Sequence, residues 1–67
     1  MVNTDELRGR LTACNITYAE MAKKLGITPK TFTTRIKKKI FMSDEIDTMV
    51  DVLGLDKEEA WKIFFAK

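Results

Sequence analysis

Lys30, Thr33, Thr34 and Lys37 fall at helical spacing, with Pro29 just ahead of them. On one helix face they put short hydroxyl side chains between long cations. That pattern suits contact with stacked bases. A small threonine lets a helix come close to base edges, where its hydroxyl can hydrogen-bond and its methyl can touch a thymine methyl. Lysines at either end reach phosphates or guanine. The bland alternative is a solvated helix face, since two adjacent threonines carry only a small local helix cost.

The face lies within KKLGITPKTFTTRIKKK, from Lys23 to Lys39, which holds seven of the twelve basic residues and no acidic one. Formal net charge is only +2, but it is unevenly placed. Residues 1–22 set Arg8 and Arg10 against Asp5, Glu6 and Glu20, a net −1. Residues 23–40 carry +7, all from lysine and Arg35. Residues 41–67 carry Asp44, Glu45, Asp47, Asp51, Asp56, Glu58 and Glu59 against three lysines, a net −4. A basic block between acidic ends points to a polyanion partner. The acidic run from Asp44 to Asp51 reads as a solvated face turned away from it.

Helical spacing and capping signals recur along the chain, and no strand alternation competes with them. A first helix is predicted from Asn3, with Glu6 closing a capping box and Val2 and Leu7 in a hydrophobic staple. Leu7, Leu11 and Cys14 line its face, with Cys14 read as a small buried hydrophobe. A second helix starts at Thr17, boxed with Glu20, and buries Met21, Ala22 and Leu25. Gly26 suits its left-handed end. A third starts at Thr28 with Pro29 in the first turn. It buries Phe32 and Ile36 and ends near Lys38. Ser43 is predicted to cap a fourth helix with Ile46, Met49, Val50 and Leu53 inward, and Gly54 to end it. Asp56 and Glu59 box a fifth, in which Trp61, Phe64 and Phe65 share one stripe and Ile63 lies to the side. The expected fold is all-α: a compact bundle of five short helices, one domain over residues 1–67.

Length and composition exclude several function classes. With 67 residues the chain suits one small domain with a modest core. It has no histidine and one cysteine, so zinc sites and histidine catalysis lack their usual groups. No nucleophile–base spacing or Gly-rich phosphate loop occurs. No enzyme activity, metal, cofactor or small-molecule ligand is expected. No apolar run approaches the ~20 residues of a membrane helix. The polar MVNTDELRGR has no signal-peptide pattern, so the expected location is cytoplasmic, without a membrane partner.

The segment TYAEMAKKLGITPKTFTTRI resembles the helix-turn-helix of phage repressor and Cro-type (lambda repressor-like) regulators. The likeness rests on the Thr17 cap, Met21-Ala22, Leu25-Gly26-Ile27, the Thr28 cap and Phe32. It extends more weakly through SDEIDTMVDVLGL and covers roughly residues 4–55, with the motif at about 17–38. The resemblance implies a sequence-specific transcriptional regulator, a repressor of phage or mobile-element type, whose third helix enters the major groove of double-stranded DNA. Carried over by position, the base-contacting residues are Thr28, Pro29, Lys30, Thr33, Thr34 and Lys37. The phosphate-contacting residues are Thr17, Tyr18, Lys23, Lys38 and Lys39. The chain departs from the family at Tyr18 and Pro29, where glutamine is frequent. It departs again at Arg35, where an apolar residue is common and Ile36 takes the packing role. Homodimerisation, in solution or on DNA, is expected through Trp61, Phe64 and Phe65. The alternative is a protein-interaction module, such as an antirepressor or antitoxin part, docking through that same aromatic helix.

Overall fold

Five stretches of this chain close a helix start with their own side chains, and these ends mark out the fold. A computed structural model describes residues 2–65. Its elements are α1 (Thr4–Ala13), α2 (Tyr18–Leu25), α3 (Pro29–Lys38), α4 (Ser43–Leu53) and α5 (Lys57–Phe64), with no strand among the described residues.

Asn3 caps α1, its Oδ1 accepting the Glu6 N–H at 3.2 Å. The expected reciprocal bond is replaced. Asn3 donates its own N–H to the Ile63 carbonyl at 2.6 Å, and the Glu6 carboxylate sits 3.6 Å from Lys62 Nζ. Thr17 and Glu20 form the full predicted box at α2, and Asp56 and Glu59 form it at α5. Thr28 caps α3, with Pro29 in the first turn. At α4 the cap lies one residue earlier than expected. Met42 is the N-cap and has no oxygen to offer, so the Glu45 carboxylate alone closes the end by accepting the Met42 N–H at 2.8 Å.

The C-termini of the first four helices share one turn. A residue in the left-handed region is followed by an apolar residue whose N–H bonds five positions back. The pairs are Asn15-Ile16, Gly26-Ile27, Lys39-Ile40 and Gly54-Leu55. Gly26 (φ 75°) and Gly54 (φ 63°) adopt it without a Cβ penalty, whereas Asn15 and Lys39 adopt it with one.

Phe32 is fully buried at the centre of the bundle, with Tyr18 edge-on at 5.1 Å and Phe41 tilted at 5.5 Å. Leu7 and Leu11 of α1, Met21 and Ala22 of α2, Met49 and Leu53 of α4, and Val2 and Leu55 beside them are buried in the same core. α2 packs on α3 and α4, while α1 packs on α5. Leu25, Ile27 and Ile36 are half-buried around this core.

Two expectations fail on where the core lies. Cys14 is exposed, because α1 ends there and its Sγ reaches only the Leu53 carbonyl, 4.0 Å away. On α5 the buried stripe is Ala60, Ile63 and Phe64, one step round the helix from the predicted one. Ile63 is therefore core, and Phe64 is too buried to serve as an interface side chain.

Candidate functional site

α3 is held by its apolar side, and this fixes what it turns outward. Phe32 is sunk in the core and Ile36 half-covered. Thr28, Pro29, Lys30, Thr33, Thr34 and Lys37 are all exposed on the remaining surface, followed by exposed Lys38 and Lys39. Sequence spacing and burial therefore agree on which residues this face presents.

Hydrogen bonds refine what the threonines offer. The Thr28 hydroxyl accepts the Thr31 N–H at 3.1 Å and donates to the Thr31 hydroxyl at 2.9 Å. Thr33 donates to the Pro29 carbonyl at 3.0 Å, and Thr34 to the Lys30 carbonyl at 3.1 Å. In this state the protons of Thr33 and Thr34 are engaged within the helix. What each retains toward a ligand is acceptor capacity and a methyl group.

The other predicted contacts differ in freedom. Lys23 is exposed. Thr17 is exposed, yet its hydroxyl already accepts the Glu20 N–H at 3.1 Å. Tyr18 is half-buried against Phe32. Glu20 accepts the Thr17 N–H at 2.9 Å. Hydrogen bonds from the Thr17 backbone and side chain hold the Glu20 carboxyl below its ordinary pKa, so it is anionic at neutral pH. A phosphate at the start of α2 would meet that charge, which leaves Lys23 as the cation to attract it.

Arg35, to which the sequence assigned no role, has a structural one. Its Nε lies 3.1 Å from Glu45 Oε2, in an ionic contact without well-aligned hydrogen-bond geometry. Its Nη2 lies 3.9 Å from Met42 Sδ. Glu45 is the one buried charged residue among the described residues, 5% exposed. One carboxylate thus closes α4 and grips α3 from behind its exposed face. No local pattern signals this contact, because its partners are ten positions apart and neither belongs to the other's helix.

At the opposite end of the chain order, Trp61 (63% exposed) and Phe65 (51% exposed) stand on α5 with ring centroids 5.8 Å apart. They wall a groove of about 370 Å³ floored by Val50, Leu55 and Ala60, with Asp56 and Lys57 at its rim. No helix of the described residues is long and apolar enough to cross a membrane. Comparison of the chain with family models, with curated proteins and with solved structures gives no match.

Proposed function

We propose that this chain is a non-enzymatic, sequence-specific DNA-binding regulator whose α2–turn–α3 unit acts as a lambda repressor-like helix-turn-helix. The observation that carries the reading is the division of α3. Its apolar side is fixed in the core, and Lys30, Thr33, Thr34 and Lys37 share the exposed side, with Lys38 and Lys39 directly after. α3 is the recognition helix in the major groove, the threonines read base edges, and the lysines neutralise phosphates.

Size favours a dimer on DNA. The longest dimension of the Cα trace is 28 Å, shorter than the ~34–36 Å between successive half-sites on one duplex face. One copy spans one half-site. Trp61 and Phe65, with the groove beside them, are the surface for a second copy.

Selection of bound duplexes from a random pool is the deciding experiment. The expected product is a palindrome with half-sites one helical turn apart, bound with a log–log salt slope of roughly −0.9 per phosphate neutralised. Thr34→Ala should relax the preference at one base position, and Lys38→Ala should weaken all duplexes alike. Binding that ignores salt, or a preferred site unaltered by both Thr33→Ala and Thr34→Ala, would end this reading. The same exposed aromatic groove favours one other reading, a protein-binding module. It predicts a stable heteromeric complex and no duplex selection.

A further inference from the structure

Ile40 is the exception among the four shared helix ends. Each places an apolar residue directly after the left-handed position. Leu55 is buried, and Ile16 and Ile27 are half-buried against the core. Such turns ordinarily fold this side chain back onto the helix they end. Ile40 is instead 63% exposed, and Met42, two residues on, is 57% exposed. Turn chemistry and core packing leave Ile40 unexplained, whereas the Met42 Sδ lies 3.9 Å from Arg35 Nη2.

The exposure does not come from a loose loop. The Lys39 N–H bonds back to the Arg35 and Ile36 carbonyls, and the Ile40 N–H donates to Arg35 at 3.3 Å. The Lys39 carbonyl accepts the Val2 N–H at 3.2 Å. Phe41 is buried against Phe32, and the Met42 N–H is held by Glu45. The backbone is pinned on both sides of Ile40, so its side chain is presented on a fixed support. Lys37, Lys38 and Lys39 precede it without an intervening acidic residue, and all three are exposed. An apolar tip behind three cations fits a polyanion with an apolar interior. A stacked duplex has that construction.

Building on the DNA-binding reading, we infer that Ile40 is an apolar wedge that enters a base step beside the half-site and bends the duplex. The lysines draw the loop onto the backbone past the C-terminal end of α3. Ile40 then meets the minor-groove edge of the stack, where side chains of this type separate neighbouring bases. Pyrimidine–purine steps unstack most readily, so a TA or CA/TG step is expected at that position, selected without a hydrogen bond to either base.

The test uses the duplex recovered by selection, with 2-aminopurine placed at successive steps and bending read by circular-permutation gel mobility. The intact chain should bend the duplex and raise fluorescence at one step outside the palindromic contacts. Ile40→Ser should return both signals to those of free duplex while still binding. Ile40→Leu should keep them. Ile40→Ala serves as a second small variant, with circular dichroism checking that each folds. A bound but straight, fully stacked duplex overturns the wedge and leaves the DNA reading standing. So does a bend that survives Ile40→Ser and Ile40→Ala. Loss of self-association rather than bending in the Ile40 variants would assign the side chain to a second copy and overturn it as well. Failure to recover any bound duplex would overturn both readings together.

Discussion

Glu45 and Glu59 occupy the same place in two different helices, and their surroundings set them apart. Each is the third residue of its helix, and each accepts the N-cap N–H with one oxygen: Glu45 from Met42 at 2.8 Å, Glu59 from Asp56 at 3.1 Å. Each uses its second oxygen for an arginine from another helix. Glu45 meets Arg35 of α3, and Glu59 meets Arg10 of α1. The Glu45 side chain is 5% exposed, whereas Glu59 is 29% exposed and its Arg10 partner 39%. One capping signal therefore serves a buried clamp behind the basic helix and a wet clamp between the first and last helices. Dielectric, rather than the motif, should decide what each is worth. A charge left alone in the interior is costly, while one left alone near water is not.

The largest effect should come from breaking the buried clamp on one side only. Arg35→Met leaves the Glu45 carboxylate without its cation and should cost about 3 kcal/mol, read as the shift in urea midpoint. Glu45→Gln keeps an acceptor for the Met42 N–H but removes the charge, and should cost about 2 kcal/mol. Combining the two should cost clearly less than the sum of the singles, because no buried charge remains unpaired. Strict additivity would mean that the pair is not coupled.

Glu59→Gln should cost less than about 1 kcal/mol, and Tm should fall by only a few degrees. Raising NaCl to about 1 M should shrink that difference further while leaving most of the Glu45→Gln difference in place. Equal costs for the two glutamine variants would erase the distinction between the clamps.

The smallest effect belongs to Glu20, which boxes Thr17 but meets no arginine. Its carboxyl is held below the ordinary value by the Thr17 hydrogen bonds. The sign follows from linkage: a depressed folded pKa adds stability above the ordinary carboxylate pKa, and this is lost as pH falls through the folded value. Amide protection at the start of α2, measured relative to intrinsic exchange, should weaken over that acidic window in the native chain. Glu20→Gln should remove the pH dependence there without moving the start of α5.

The comparison also marks what a single chain reveals of itself. Asn3, Thr17, Thr28 and Asp56 were readable as caps because their bonds span three residues. Gly26 and Gly54 were readable because the left-handed turn favours glycine. The exposed face of α3 followed from Phe32 and Ile36 at helical spacing. Contacts between distant segments were not readable. Arg35 and Arg10 carry no mark of the carboxylate each will meet. Glu6 left its expected box for Lys62 because the Ile63 carbonyl had taken the Asn3 N–H. On α5, four large apolar residues in five positions allow two adjacent stripes, and only the direction of the core selects Ile63 and Phe64 over Trp61 and Phe65.

The bond from Asn3 to Ile63 bears on the order in which the molecule can be assembled. Its ends lie sixty positions apart, so this closure waits until nearly all the described chain has left the ribosome. Until then α1 has no α5 to cover it, and Arg10 has no Glu59. α2 and α3 face no such delay, since they are neighbours in sequence and pack on each other. Contacts between neighbours form early and at low entropic cost. The basic helix should therefore take shape first during synthesis, and α1, made before it, should be among the last to dock.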